Sequence, residues 1–260
     1  MKVNDIICEI EKKAPKYLKE SYDNVGLMVG SKDKAVKSIL LALDCNNKVI
    51  DEAISKKTDL IITHHPLLFK KPNSINAEEL QGSKIIKLIK NDIALYSCHT
   101  NLDNAKDGVN DEVVKLLGFK HDSIIEYKDN QKECGTGRII KLKESKSFDE
   151  IIALVKEKLD IKNLRIVWGS SIVNKIAVIN GSGQDYFYEA KKAGADCIIT
   201  GDTTYHFASD FKEMNISIID AGHFGTEYLP FLKSMSFLKE KFPQIKFIKS
   251  ESSNDPYEFI

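Results

Sequence analysis

The sequence predicts an α/β fold made of two similar, intertwined α/β domains that derive from an internal duplication. Two observations support this prediction. Short apolar segments of strand length alternate with helical patterns, which is typical of parallel strands joined by helices. The alternation occurs twice, and a shift of 137 positions (Thr200 minus Thr63) aligns the two stretches without a gap.

The predicted elements of each stretch are a strand, a helix and a second strand. They lie at residues 39–43, 48–56 and 60–63, and at residues 176–179, 186–192 and 197–200. The shift places Glu52 on Glu189 and Ile61-Ile62-Thr63 on Ile198-Ile199-Thr200. Upstream, residues 4–7 and 149–152 both resemble the start of a helix. The alternative is that common α/β patterns resemble each other by accident.

The duplication predicts a first lobe over residues 1–126 and a second over 127–260, with a junction between about residues 125 and 147. No low-complexity linker separates the halves, and there is no room for a further domain inserted in the middle. We therefore expect tightly packed lobes with a rigid cleft between them, which is a usual place for chemistry.

Composition excludes several classes of protein. The chain has 260 residues, and 38 Lys and Arg balance 38 Asp and Glu, so no overall field attracts nucleic acid or an anionic membrane. The apolar runs are too short to span a bilayer, and no targeting segment is visible. Five separated cysteines without a C-x-x-C pair indicate reduced thiols. We expect a cytoplasmic protein without a membrane or nucleic-acid partner.

Two adjacent histidines follow the apolar strand at residues 60–63, in the motif Thr63-His64-His65-Pro66. In open α/β sheets, ligands bind beyond the carboxyl ends of the strands. Neighbouring side chains of a continuing strand point to opposite faces, but Pro66 favours a break. The two imidazoles could therefore bind different metal ions or flank one site, and they predict metal binding or catalysis.

Each half also carries a histidine at a strand end, followed four residues later by a carboxylate. The pairs are His99 with Asp103, and His223 with Glu227. If the chain turns helical there, residues four apart share one face. Imidazole and carboxylate suit first-row divalent ions, and carboxylates can bridge two ions. Either pair alone fits a surface or helix-capping role, but three such elements together favour a metal site.

Further segments could contact a substrate. In the second stretch, Gly201 and Asp202 replace the two histidines, and Tyr205 and His206 follow. These residues could line the substrate side of the cleft or form an ordinary loop. Asn180-Gly181-Ser182-Gly183 follows a strand and opens a helix, which would suit an anion. Gly135-Thr136-Gly137-Arg138 could hold a phosphate in a bidentate grip, or Arg138 could be a surface residue on a strand.

Together these motifs resemble the NIF-three-like dinuclear-metal family, whose bacterial members are commonly labelled GTP cyclohydrolase I type 2 homologs. The resemblance covers nearly the whole chain, in order. It is carried by residues 22–27, Thr63-His64-His65-Pro66, residues 99–103, Gly181-Ser182-Gly183, Gly201-Asp202 with His206, and Gly222-His223 with Glu227. Many relatives carry Trp at the position of Tyr22, and some carry an inserted middle domain that this chain lacks.

The resemblance implies a homohexameric ring and two divalent metal ions in each subunit. Carried over motif by motif, the metal ligands would be His64, His65, Asp103, His223 and Glu227. His99 and His206 would lie nearby as candidates for proton transfer. The ligand types do not distinguish Zn, Fe, Mn, Co and Ni.

These observations lead to one functional hypothesis and two alternatives. The leading hypothesis is a metal-dependent hydrolase of a nucleotide-like substrate, with GTP ring opening and formate release as the specific reaction. Arg138, Asp202 and Tyr205 are the candidates for substrate binding. The alternatives are a metal-stabilised hexameric scaffold or regulator without catalysis, and a metal-dependent phosphoesterase.

Overall fold

A computed structural model describes residues 1–128 and 132–260 of the chain. By its internal contacts the chain divides into two units. Unit 1 comprises Met1–Leu102 and Ser234–Asn254, and unit 2 comprises Asp103–Lys233 and Asp255–Ile260. Each unit contains one β-sheet with helices, so the predicted α/β class with two α/β units is confirmed.

The strands within the described residues are β1 (Gly26–Val29), β2 (Ser38–Ala42), β3 (Leu60–Thr63), β4 (Ala94–Ser97), β5 (Ser123–Tyr127), β6 (Gly135–Ser147), β7 (Arg165–Val167), β8 (Ile172–Ser182), β9 (Cys197–Gly201), β10 (Ser217–Asp220) and β11 (Lys246–Lys249). The α-helices of the same residues are α1 (Val3–Lys13), α2 (Asn47–Ser55), α3 (Leu80–Lys90), α4 (Thr100–Asn104), α5 (Val109–Leu116), α6 (Phe148–Leu159), α7 (Phe187–Lys192), α8 (Tyr205–Glu213), α9 (His223–Ser234) and α10 (Phe237–Lys241). Two short 3₁₀ helices lie at Lys16–Leu18 and Gln184–Tyr186.

The sheet of unit 1 has the order β1-β4-β3-β2-β11. Neighbouring strands from β4 to β11 are parallel to each other, and β1 is antiparallel to β4. Every residue of β2, β3 and β4 is buried, as expected for parallel strands that are covered on both faces. Between β2 and β3 the chain forms α2, which begins where the Asn46 side chain accepts a hydrogen bond from the Val49 backbone N–H at 2.9 Å.

The sheet of unit 2 has the order β5-β6-β8-β9-β10-β7. In the central strand β8, alternate residues face opposite cores, because side chains alternate along a strand. Ile176 and Val178 join one hydrophobic cluster, while Ala177 and Ile179 join the other. Both faces of this sheet are therefore packed.

The two sheets repeat the same order of elements, as the sequence shift predicts. In unit 1, β2, β3 and β4 are parallel neighbours with β1 antiparallel to β4; in unit 2, β8, β9 and β10 are parallel neighbours with β7 antiparallel to β10. The register is also repeated. Ile39 lies opposite Leu60, and Ile176 lies opposite Cys197.

The units divide the chain differently from the predicted lobes 1–126 and 127–260. Residues 103–126 belong to unit 2, in which β5 pairs with β6. Residues 234–254 belong to unit 1, because β11 returns to pair with β2. Each unit consists of two separate stretches of the sequence, so one boundary between two continuous lobes does not describe them. Residues 129–131 of the predicted junction lie outside the described residues.

None of the described helices combines the length and the apolar character that crossing a membrane requires. All five cysteines lie within the described residues, and no disulfide joins them.

Candidate metal-binding residues

Three histidines of unit 1 follow two neighbouring parallel strands. Thr63 ends β3 and Ser97 ends β4, and these two residues lie side by side in the sheet. His64 and His65 therefore leave the sheet at the same edge as His99. The ring centroids lie 5.1 Å apart for His64 and His65, 5.2 Å for His64 and His99, and 5.4 Å for His65 and His99. One ring nitrogen of each histidine lies within 4.8 Å of the others.

The hydrogen bonds of these rings fix the position of the ring proton. Each Nδ1 lies beside an oxygen atom that can only accept: the Cys98 carbonyl at 2.9 Å from His64, Asp44 Oδ1 at 2.8 Å from His65, and Asp23 Oδ1 at 2.9 Å from His99. Nδ1 must therefore be the donor in all three rings, and Nε2 is the ring atom left to bind a metal. This is the arrangement by which proteins orient histidine ligands toward a metal.

Asp23 is the most strongly bound of these acceptors. Its carboxylate accepts hydrogen bonds from the ring of His99 and from the backbone N–H and hydroxyl of Thr100. Burial would raise the pKa of Asp23, but the hydrogen bond and charge of His99 and the hydrogen bonds from Thr100 outweigh it and lower the pKa to about 2. Asp23 is therefore ionised at neutral pH and holds the proton on Nδ1 of His99.

Sequence reasoning gave no role to Asp23 or Asp44. The signal for Asp44 was its position just beyond β2, since this strand is parallel to β3 and ends at the same edge of the sheet. Asp23 lay within the motif at residues 22–27. Its partner is 76 residues away in sequence, so no local pattern could pair them.

In unit 2, α9 begins directly at His223, three residues after the end of β10. Nε2 of His223 lies 3.0 Å from Oε2 of Glu227, one helical turn away, as the four-residue spacing predicts. Nδ1 of His223 lies 2.7 Å from Oδ2 of Asp202. The structure thus gives Asp202 a hydrogen bond to a predicted metal ligand, where the sequence had suggested substrate binding.

The side chain of Asn180 connects two predicted carboxylate ligands of unit 2. Its Nδ2 donates to Oδ1 of Asp103 at 2.9 Å and to Oε1 of Glu227 at 3.0 Å. Asn180 is itself buried, and its backbone N–H donates to the side chain of Asn110 at 3.1 Å. The amide therefore orients both carboxylates. The sequence analysis named Asn180 only as part of a candidate anion site and did not predict this role.

That expected anion site is not what the structure contains. Strand β8 continues through Asn180 and Gly181 to Ser182, and a 3₁₀ helix separates it from the six-residue α7. Gly181 is required for a different reason. Its φ is +58°, and a Cβ at this position would lie 2.1 Å from Oε1 of Glu227. The glycine leaves space for the carboxylate.

Arg138 also differs from the prediction. Its side chain is fully buried and forms an ion pair with the buried carboxylate of Asp111. It also donates to the backbone carbonyls of Gly135 and Gly137 at 2.7 and 2.9 Å, and to that of Ala105 at 3.2 Å. The structure therefore assigns Arg138 to the interior of unit 2, neither to a phosphate site nor to the surface.

The remaining candidates lie around the start of α8. Tyr205 is 80% exposed, and its ring lies 5.5 Å from the exposed ring of His206. Proton transfer by His206 and substrate binding by Tyr205 stay predictions.

The residues present suit a divalent metal. Unit 1 supplies imidazoles whose protons are held on Nδ1, and unit 2 supplies an imidazole and two carboxylates that an amide orients. Such nitrogen and oxygen donors suit Zn, Fe, Mn, Co and Ni alike. Cys45, next to Asp44, is a poor ligand, because burial raises the pKa of its thiol to about 12.

Comparison with known proteins agrees with the motif resemblance. The sequence model described as Duf34/NIF3 (NGG1p interacting factor 3) matches residues 1–256. The chain belongs to the Duf34/NIF3 family. It is 52% identical to the GTP cyclohydrolase 1 type 2 homolog of Clostridium perfringens (strain 13 / Type A), with 100% of both chains covered.

Solved structures of this Duf34/NIF3 protein's relatives have the same fold. The crystal structure of Staphylococcus aureus protein SA1388 is 32% identical, with a TM-score of 0.90, and the match covers 100% of this chain and 99% of that one. A Bacillus cereus protein related to NIF3 is 26% identical, with a TM-score of 0.89 and the same coverage. The family resemblance and the α/β fold predicted from the sequence are both confirmed.

Proposed function

We propose that this protein is a metal-dependent hydrolase of a nucleotide-like substrate that binds two divalent metal ions in each subunit. The observation that carries the proposal is the group of three histidines in unit 1, each with Nδ1 bonded to an oxygen acceptor. A histidine with a purely structural role does not require other histidines beside it. A group of imidazoles that are each oriented by a hydrogen bond is typical of metal sites. The name of the relatives, GTP cyclohydrolase 1 type 2 homolog, supplies the candidate substrate, GTP.

The proposed ligands are those that the family resemblance implies. His64 and His65 are the ligands from unit 1, and Asp103, His223 and Glu227 are those from unit 2. When bound, the ions would lower the pKa of coordinated water and polarise the group under attack. Asp44, Asp202 and Asn180 would hold their partners in the orientation that binding requires.

His99 is the proposed proton carrier. Because the ionised Asp23 holds the proton on Nδ1, Nε2 can accept a proton from water and return it to the leaving nitrogen, and Asp23 stabilises the imidazolium between these steps. In the proposed reaction, a first water adds to the carbon between the two nitrogens of the purine five-membered ring, and one carbon–nitrogen bond breaks to leave a formamide. A second water adds to that formyl carbon, the remaining carbon–nitrogen bond breaks with a proton delivered to the nitrogen, and the carbon leaves as formate.

Metal content tests the ligand assignment. Glu227→Gln should reduce the metal bound per chain after dialysis, as measured by plasma emission, because an amide is a weaker ligand than a carboxylate. Glu213→Gln, an exposed position on α8, is the matched control. Unchanged metal in Glu227→Gln would contradict the assignment.

Activity tests the reaction. Metal-loaded protein should release formate from GTP, and His99→Ala should lose most of this activity while it keeps its metal. A His99→Ala variant that loses metal instead would make His99 a ligand. A metal-loaded protein that releases neither formate from GTP nor phosphate from phosphoesters would refute the hydrolase proposal and favour the scaffold.

We also propose the homohexamer that the family resemblance implies. Light scattering during gel filtration should then give about six times the chain mass of 29.3 kDa. A monomer or dimer at micromolar concentration would contradict this assembly.

A further inference from the structure

Two aromatic side chains beside the histidines of unit 1 are exposed to solvent. Tyr22 is 66% exposed and Phe69 is 45% exposed. Their ring centroids lie 6.3 Å apart with an interplanar angle of 65°. The ring of Phe69 in turn lies 6.2 Å from that of His99, with planes at 78°. The two rings thus extend the histidine group outward as one aromatic surface.

Contiguous exposed aromatic rings are unusual on a protein surface. Single exposed apolar side chains are common, but neighbouring ones next to a polar group indicate a binding surface. Tyr22 and Phe69 come from separate segments, one before β1 and one after β3, so their contact is not a result of sequence neighbourhood. The segment of Tyr22 continues into Asp23, the hydrogen-bond partner of His99, and the segment of Phe69 follows His65.

Hydrogen bonds fix both segments. Asn24 Nδ2 donates to the carbonyl oxygen of Leu68 at 2.7 Å, which joins the segment of Tyr22 to that of Phe69. Gln81 Nε2 donates to the carbonyl of Leu67 at 2.7 Å, which ties the second segment to α3.

The residue after Tyr22 is also fixed. Asp23 receives the hydrogen bonds from His99 and Thr100 described above. The aromatic rings are therefore attached on one side to the partner of His99 and on the other to the chain that follows His65. A preorganised surface of this kind binds a rigid ligand with little loss of conformational entropy.

We infer that Tyr22 and Phe69 bind the planar heterocyclic ring of the substrate by stacking and edge contacts, next to His99. The inference rests on the proposed function for the choice of a purine, and it adds the residues that would recognise the ring. Rings inclined at 65° offer a face and an edge to a third ring, and both geometries are favourable for aromatic pairs. A phosphate group is anionic and hydrophilic and gains little from aromatic faces, whereas a planar base can stack on them.

The test compares a ligand that has the ring with one that lacks it. Guanosine and tripolyphosphate are titrated by calorimetry into zinc-loaded protein, into Tyr22→Ala and into Phe69→Ala. Each variant should bind guanosine about tenfold more weakly, the loss expected for one aromatic contact, with tripolyphosphate binding and zinc content unchanged. Tyr22→Phe keeps the ring and should bind guanosine within about twofold of the parent protein.

Tyr257→Ala is the control, because Tyr257 is an exposed tyrosine near the C-terminus. Its guanosine affinity should equal that of the parent. Weaker guanosine binding by the Tyr22 and Phe69 variants supports the inference even if GTP yields no formate, in which case the hydrolase proposal alone fails. Absence of guanosine binding to the parent, equal binding by parent and variants, or an equal loss of tripolyphosphate binding overturns the inference, even if formate is released.

Discussion

The buried carboxylate of Glu52 supports a specific prediction about stability in acid. Glu52 lies on α2, and its carboxylate accepts hydrogen bonds from Lys56 Nζ at 2.7 Å and from the hydroxyl of Ser250 at 2.6 Å. It also accepts from the backbone N–H groups of Glu251 at 3.0 Å and Ser252 at 3.1 Å. These bonds attach the segment after β11 to α2 and so hold the returning chain in unit 1.

The size of the effect follows from the pKa of this group. Burial would raise the pKa of Glu52, but the four hydrogen bonds outweigh it and lower the pKa from 4.5 to about 2. A drop of about 2.5 in pKa corresponds to about 3 kcal/mol of stability. Since the folded pKa lies below the unfolded one, this contribution is complete above about pH 4.5. It falls to about half near pH 3 and disappears below about pH 2.

Glu52→Gln keeps the size of the side chain and removes its charge. The free energy of unfolding, measured by urea titration with circular dichroism, should fall by about 3 kcal/mol at pH 7 and by about half as much at pH 3. Glu157→Gln, an exposed carboxylate on α6, should change it by less than about 0.5 kcal/mol at both pH values. A penalty for Glu52→Gln that is the same at pH 7 and pH 3 would refute the reasoning, because a neutral hydrogen bond would then carry the effect.

Three further predictions concern unit 2. Asn180→Ala should lower metal affinity about 10- to 100-fold, measured by competition with a chelator, because the amide that orients Glu227 is lost; unchanged affinity would remove that role. Gly181→Ala should also weaken metal binding, since the new methyl would displace the Glu227 carboxylate; a crystal structure with this carboxylate unmoved would count against it. Arg138→Met should lower the free energy of unfolding by about 3–5 kcal/mol in urea titrations, because the buried Asp111 loses its guanidinium partner and, among the described residues, keeps only the ring of His121, at 3.3 Å, as an ion-pair partner. If it weakened GTP binding instead and left stability intact, the interior role would be wrong.

The central strands and helices could be predicted because their signals are local. The predicted strand at residues 60–63 coincides with β3, and the predicted helix at 48–56 is shifted by one residue from α2. The division into units could not be predicted in this way. Strand β11 belongs to unit 1 through its pairing with β2, a contact between residues about 200 positions apart. No composition change in the sequence marks such a return.

Histidines and carboxylates at strand ends could be found because sheet topology brings those positions to one edge. Their hydrogen-bond partners could not, since Asp23 lies 76 residues from His99, and Asn180 lies 77 residues from Asp103 and 47 from Glu227. For Arg138, the local sequence pattern predicted the wrong role. A rare arginine after two glycines resembled a phosphate site, but its donors are used by carbonyls of its own strand and by Asp111.

The repeat explains why the second copy of the site was hard to recognise. The 137-residue shift places Asp202 at the position of His65, and Gly181 at that of Asp44. In unit 1, the histidine occupies this position and Asp44 accepts its Nδ1 proton. In unit 2, Asp202 is the acceptor and His223, from α9, is the imidazole. This position thus holds the donor in unit 1 and the acceptor in unit 2. The position equivalent to Asp44 must be glycine because the Glu227 carboxylate fills the space of a side chain there. Both sheets therefore carry a histidine–carboxylate contact at the corresponding edge, and the residues that form the contact differ between them.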